Sequence, residues 1–430
     1  MKSGIWLTFL AALLLFPGVV SAAPLHIRPE PSAWTTWAPR PEIMPRTFVD
    51  RVHARSAAGS LAISGNSNPA AWGGWVHTVS GIQPGTWYHL SAWYRTEGVQ
   101  YERGQVLARI NWVKGEGRRA GQPEYVYASE HQGEWTRLLL DAPAPTDATG
   151  AQIQLFLANA PTSTVWWDEV SFDQIDAPAP RKVIVESINY RPSRQASSSE
   201  VVGQFLEQVD RLTTKADIIL LPEGITVVNT GKKYADVAEP VPGPTTARLG
   251  EMARKKHAYI VAGIFEREGT AMYNTAVLID RAGQLLGKYR KVYLPREELE
   301  GGLTPGSDYP VFQTDFGKVG MMICWDLQYA DPARNLTLRG AELILMPIWG
   351  GSEPLGKARA IENQVFLASS GYDYPTYILD PNGEVLSVAQ QRGTAATATI
   401  DLNKRYLDAW LGNMHQRFQK EVRLDLNNRY

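Results

Sequence analysis

Cysteine is almost absent from this chain: Cys324 is the only one in 430 residues. A single thiol cannot form an internal disulfide, so the fold must rest on burial, which a chain of this length can supply. Charge of one sign is missing too. Lys and Arg number 43 against 44 Asp and Glu, a formal net charge of −1. No bulk attraction to nucleic acid or to an anionic membrane follows from that balance. His is scarce, at 7, and no pair has the four-residue spacing of a metal-binding helix. Neither a metal nor a cofactor is therefore expected.

Long apolar runs are confined to the start. Lys2 precedes a mostly apolar stretch from Ile5 to Val20, and Val20-Ser21-Ala22 supplies small residues at a cleavage point. This pattern predicts a secretory signal peptide over 1–23 and an exported protein, periplasmic or secreted. The run is shorter than the roughly 20 residues of a spanning helix, so no integral membrane segment is expected after cleavage. An unpaired Cys outside the cytoplasm is open to oxidation, and its retention asks for a reason. A catalytic thiolate is one; a small buried hydrophobe is the other.

What is present divides the chain in two. Ten of the 14 Trp lie between Trp34 and Trp167, in a region of short alternating runs such as 88–94 and 151–157. Turn clusters separate those runs, among them Gly65-Asn66-Ser67-Asn68-Pro69 and Gln83-Pro84-Gly85. The pattern predicts an all-β sandwich or jelly roll over 24–176. This half resembles the galactose-binding-like jelly rolls of carbohydrate-binding modules, through Gly85-Thr86-Trp87-Tyr88, Gly133-Glu134-Trp135-Thr136 and Val165-Trp166-Trp167-Asp168-Glu169-Val170. The resemblance implies a glycan as a second partner, bound by exposed Trp. Trp87, Trp93, Trp135 and Trp166 are expected in the core, and Trp72, Trp75 and Trp112 on the surface.

A Pro-rich connector, 177–181, leads into a second texture over 182–430. Strand-like runs at 182–188, 218–221 and 258–265 alternate with helical patterns at 197–212 and 245–256. Such alternation predicts an α/β domain. Ser197 and Glu200 have capping-box spacing.

Three segments in this half place a reactive side chain at or just after a strand end, where α/β domains build their sites. In Leu220-Leu221-Pro222-Glu223-Gly224 a carboxylate leaves an apolar strand partly desolvated, a setting that suits a general base. A carboxylate in open solvent would read the same. In Tyr289-Arg290-Lys291-Val292-Tyr293, alternation puts Lys291 on one face with both Tyr, where it can hold an oxyanion. A solvated basic patch is the alternative. In Met322-Ile323-Cys324-Trp325-Asp326 an apolar strand ends at the sole thiol, with a helical stretch at 332–339 soon after.

Together these segments resemble the nitrilase superfamily, the carbon–nitrogen hydrolases. Leu221-Pro222-Glu223-Gly224, Tyr289-Arg290-Lys291-Val292-Tyr293-Leu294-Pro295 and Ile323-Cys324-Trp325-Asp326 match its Glu, Lys and Cys motifs in chain order. Thr304-Pro305-Gly306, Arg359-Ala360-Ile361-Glu362-Asn363 and Asp380-Pro381-Asn382-Gly383 match supporting segments. The resemblance implies a four-layer αββα sandwich that pairs with a second copy as a homodimer or higher homo-oligomer. It implies Cys324 as nucleophile, Glu223 as base and acid, and Lys291 with the Trp325 backbone N–H as oxyanion hole. Glu298, or else Glu300, is implied as a second active-site carboxylate. The expected activity is hydrolysis of a non-peptide amide or carbamoyl C–N bond of a small molecule through a thioester, without cofactor. A nitrile hydrolase or an N-acyltransferase would use the same triad, and a non-catalytic glycan-binding surface protein is the alternative of another class. The sequence departs from the family pattern at Tyr293, where His is usual, at Ala330-Asp331, where Pro-Glu is common, and at Tyr377, where a small residue is usual.

Overall fold

The computed structural model describes residues 25–28, 30–195, 197–372, 376–424 and 426. The expected signal peptide over 1–23 lies outside them. No helix among the described residues is long and apolar enough to cross a membrane.

Alternation dominates the front region, and it folds into two antiparallel sheets. One sheet runs in the order Ala128–Gln132, Trp135–Pro143, Trp87–Glu97, Thr164–Ile175, Ser60–Ser64, Arg46–Asp50, with His26–Ile27 beside Thr164–Ile175. The other runs Thr35–Trp37, Trp72–Ser80, Gly150–Ala158, Val106–Lys114, Arg118–Arg119, with Glu124–Tyr125 also on Val106–Lys114. Inward residues of both sheets, such as Ile63, Leu90, Ile110 and Ile153, share one core.

The register reverses most of the expected Trp assignments. Trp75 and Trp112 are 8% and 1% exposed, not surface residues. Trp112 follows Ala108 and Ile110 in the inward register of its strand, and Trp75 turns in after Gly73 and Gly74, whose φ values of 139° and 151° break the alternation. The Trp75 indole donates to the Ala62 carbonyl at 3.1 Å. Conversely, Trp87, Trp93 and Trp135 are only half-buried, because Tyr88, Leu90, Ala92 and Leu138 take the inward register of the same strands. Trp166 is buried and Trp72 half-buried.

Between Ile175 and Lys182 the chain has no regular structure. Beyond it lie two six-stranded sheets. The first is ordered Leu285–Arg290, Ala271–Ile279, Tyr259–Glu268, Ile218–Leu220, Lys182–Asn189, Thr394–Asp401. The second is ordered Val311–Gln313, Lys318–Met321, Leu343–Pro347, Phe366–Ser370, Thr376–Leu379, Val385–Ala389. Three neighbouring strands in each are parallel, and the middle ones, Ile218–Leu220 and Leu343–Pro347, are apolar on both faces, as burial on both sides requires. Val185, Leu220 and Val261 of one sheet meet Leu343, Leu345 and Leu367 of the other in a single core.

Helices cover the outer faces. Ser198–Leu212 and Pro244–Lys256 pack Val201, Phe205, Leu249 and Ala253 onto the first sheet. Asp331–Leu338 and Glu353–Asn363 pack Ala333, Leu336 and Ala360 onto the second. The first helix begins at a reciprocal capping box between Ser197 and Glu200. The result is four layers, α–β–β–α. The chain then returns to the front: the helix Met414–Glu421 lies against the front sheets, and Gln416 accepts from the Tyr125 N–H at 2.9 Å.

Candidate active site

Two facing mixed sheets send strand ends toward one place. Glu223 follows Ile218–Leu220, Lys291 follows Leu285–Arg290, and Cys324 follows Lys318–Met321. The first two come from one sheet and the third from the other. All three line a cavity of about 700 Å³.

Local sequence fixes each approach. Pro222 and Gly224 end the first strand, and Gly224 turns at φ 65°. The neighbouring strand must be bare there, since a Cβ on Gly263 would come within 2.6 Å of the Glu223 Cα. The Lys291 N–H donates to the Asn274 carbonyl at 2.9 Å, and its carbonyl accepts from the Gly306 N–H at 2.8 Å. A Cβ on Gly306 would meet the Arg290 carbonyl oxygen at 2.1 Å, which accounts for glycine in the Thr304-Pro305-Gly306 segment. Cys324 sits at φ 39°, the left-handed region, at the start of the 3₁₀ turn Cys324–Gln328. Buried Arg359 donates to the Leu327 and Gln328 carbonyls at 3.2 and 3.3 Å and so clamps that turn from the adjoining helix.

The ionisable groups form one network. Lys291 Nζ donates to Glu223 Oε1 at 3.0 Å and to Glu298 Oε1 at 2.8 Å. The Asn274 amide donates to the same two oxygens, at 2.7 and 3.0 Å. Glu223 Oε2 and Glu298 Oε2 are buried and have no hydrogen-bond partner among the described residues. The Tyr372 hydroxyl donates to the Glu223 carbonyl. Across the cavity, the Cys324 thiol donates to the Gly350 carbonyl at 3.3 Å.

Burial and charge set the protonation. Burial pushes the Cys324 thiol up to about 12, with Glu223 adding and Lys291 opposing. It pushes Glu298 up to about 7, with Lys291 opposing and Glu223 adding. Burial works against the charge of Lys291, but Glu223, Cys324 and Glu298 outweigh it and hold the ammonium above the ordinary lysine value. One ammonium between two carboxylates leaves one excess negative charge, and a proton retained on Glu298 removes it.

Of the two candidate second carboxylates, Glu298 is the one beside Lys291; Glu300 points outward, with a side chain 71% exposed. Trp325, 39% exposed, and Trp349, 43% exposed, stand at the mouth. Lys288 and Arg290 do not form a free basic patch: both bind Glu266, at 2.5 and 2.6 Å. Tyr377 does not line the cavity; it lies under the helix Glu353–Asn363, over Gly356. Tyr293 and Asp331, two of the departures from the family pattern, bond to each other at 3.0 Å. No group of His, Cys, Asp and Glu among the described residues is arranged to hold a metal.

Sequence reasoning missed Asn274 and Tyr372. Asn274, with Thr275, puts a polar side chain at the head of the buried run 274–279, and that was the available signal. Tyr372 follows the strand Phe366–Ser370 with no motif to mark it.

The sequence model of the carbon–nitrogen hydrolase family matches residues 187–409. An omega-amidase of Mus musculus is 32% identical over 215 residues, which is 44% of this chain and 78% of that protein. A nitrilase of Pyrococcus abyssi is 34% identical over 218 residues, 45% of this chain and 81% of that protein. Among solved structures, Nit3 of Saccharomyces cerevisiae superposes with a TM-score of 0.47 at 20% identity, covering 58% of this chain and 97% of its own. An amidase from Nesterenkonia sp. gives a TM-score of 0.45 at 22% identity, covering 52% and 93%.

Proposed function

Because the chain belongs to the carbon–nitrogen hydrolase family, we propose that it is an exported amidase acting through a thioester on Cys324. The observation that carries this reading is Lys291, buried and bonded to Glu223 and Glu298, in one cavity with the sole cysteine.

The thiol keeps its proton at rest, so attack needs a base. Glu223 has a buried oxygen with no partner, free to take that proton. As the Cys324 sulfur bonds to the carbonyl carbon, the carbonyl electron pair moves onto oxygen. Lys291 and the Trp325 N–H, near the start of a turn where N–H groups have no intrahelical acceptor, hold that oxyanion. The C–N bond then breaks, and Glu223 returns the proton to the departing amine or ammonia. Water, deprotonated by Glu223, next attacks the thioester, and the acid leaves as Cys324 regains its proton. Glu298 and Asn274 hold Lys291 and Glu223 in register throughout.

The remaining parts of the reading extend beyond the site. Export by a signal peptide over 1–23 fits the absence of any thiol besides Cys324, since a free thiol outside the cytoplasm is open to oxidation. A jelly-roll sandwich over 24–176, a linker over 177–181 and a hydrolase domain over 182–430 give each half its own work. The front half binds glycan, and the hydrolase half pairs with a second copy. The irregular stretch before Lys182 supports that division.

Trapping with a slowly hydrolysed amide or ester, followed by peptide mass spectrometry, tests the catalytic core. The acyl mass is expected on Cys324 and is lost in Cys324→Ala. Acyl mass elsewhere, or full activity of that variant, would overturn the assignment. Supplying amine acceptors distinguishes transfer from hydrolysis, since transfer would yield a new amide in place of the acid.

A further inference from the structure

Lys420 is a charged side chain in an unusual position. It lies on the helix Met414–Glu421, is 9% exposed, and sits against the front sheets. An ammonium has three N–H donors, and among the described residues one acceptor faces it, the Val106 carbonyl at 3.4 Å. None of the described carboxylates is within ion-pair distance. Glu421 pairs with Arg417 at 2.9 Å, and Glu102 accepts from Tyr94 and Thr96, each at 2.8 Å. Burial pulls the lysine down to about 8, with Arg103 adding. A buried cation without a partner is costly, and an anion would relieve it.

Lys420 lines a cavity of about 350 Å³ between the front sheets and the C-terminal helix. Trp72, Tyr101 and Tyr125 give it aromatic walls, and Arg423 also lines it. Trp72 is braced by Phe156 at 5.2 Å, and Tyr101 by its hydroxyl bond to the Val422 carbonyl. None of the residues lining the catalytic cavity lines this one. A sugar ring has C–H faces that pack on aromatic rings and an edge of oxygens that accepts hydrogen bonds. A carboxylate on that ring would supply the missing countercharge.

We propose that this junction cavity binds a carboxylate-bearing sugar unit of a glycan, with Lys420 on the carboxylate and Trp72 on the ring. The site needs both halves of the chain, which explains why the last helix packs on the front sheets. The inference rests on the glycan reading of the front half and names its place and chemistry; catalysis at Cys324 is independent of it.

The test uses the full chain on an array of uronic-acid, sialic-acid and uncharged glycans, with calorimetry on the best binder. An acidic glycan is expected to bind saturably and to weaken as salt rises. Lys420→Met and Trp72→Ala are each expected to lose at least tenfold in affinity while turnover of a small amide stays within twofold. If uncharged glycans bind equally well and neither variant matters, this site is wrong and the glycan reading survives. If no glycan binds, both fall. Should Lys420→Met fail to fold, Trp72→Ala and the salt dependence decide, because the half-exposed ring can be removed without opening the core.

Discussion

Tyr289 donates its hydroxyl to Asp326 Oδ2 at 2.7 Å, tying the strand that delivers Lys291 to the turn that delivers Cys324. Both residues are fully buried, and the Asp326 carboxyl also accepts from the Ile323 and Tyr293 N–H groups at 2.9 Å each. One carboxylate thus joins the ends of two sheets. Tyr289→Phe keeps the ring, removes one of the three bonds to Asp326 and leaves the Val292 N–H, 3.3 Å from the hydroxyl, without that acceptor. Its expected cost is about 1–2 kcal/mol of stability. Amidase kcat should fall by roughly tenfold, since the cation and the sulfur lose a shared reference and small misplacements are costly. Thermal melts and steady-state kinetics on one preparation check both, and unchanged kcat would refute the coupling.

Glu298 makes the stability of the protein depend on pH. Burial raises it from an ordinary 4.5 to about 7, so between those values the folded chain binds more protons than the unfolded one. Stability must therefore fall as pH rises from about 4.5 to about 7, by up to roughly 3 kcal/mol from this group. Asp326, raised by burial to about 6, pushes the same way. Glu298→Gln removes the first contribution and leaves the second. The difference between wild-type and variant denaturation curves, measured from pH 4 to pH 8, isolates it. A flat difference would show that folding leaves the Glu298 carboxyl at its ordinary value.

Much of this site was legible in the sequence because strand ends leave a local signature. An apolar run stopped by Pro222, or running into Cys324 before a polar stretch, reads from neighbours alone. Facing was harder. Trp75 was placed on the surface because Gly residues flank it, yet those glycines are what turn it inward. Trp93, expected in the core, lies outward with the Arg55 guanidinium 3.9 Å above its ring. Asn274 left only a faint polar signal and Tyr372 none, because what defines them is the group they reach, the Glu223 carboxylate for Asn274 and the Glu223 backbone carbonyl for Tyr372, 51 and 149 residues away in the chain.

Cys324 occupies a backbone region that suits glycine, at φ 39°. An L-residue there carries a cost of order 1–3 kcal/mol that the surrounding fold sustains. The arrangement serves the side chain, aiming the sulfur into the cavity. Cys324→Ala and Cys324→Gly should both be inactive. They should differ in stability, with the Gly variant about 1 kcal/mol above the Ala variant. That order is opposite to the one expected at an ordinary position, where Gly is worse by roughly 0.5–1 kcal/mol. Chemical denaturation of the two variants settles the sign, and Ala being the more stable would mean the turn relaxes without the thiol.

Arg103 joins the two halves through three hydrogen bonds. It donates to the Leu338 carbonyl at 3.0 Å, to the Gln419 carbonyl at 3.1 Å and to the Gln419 side chain. It therefore holds the end of one hydrolase helix and the returning C-terminal helix to the front sheets at once. Hydrogen bonds from a charged donor contribute about 1.5–3 kcal/mol each, and here the carbonyls would be left buried. Arg103→Met keeps the length and loses the bonds, with an expected cost of roughly 2–4 kcal/mol. The catalytic cavity is lined by residues 223 to 349 alone, so small-amide kcat and KM should stay within about twofold. Proteolysis under native conditions should cut first in the segment around Met414–Glu421, and earlier than in the wild type. Loss of catalysis in a folded Arg103→Met protein would mean that the front half shapes the active site through this contact.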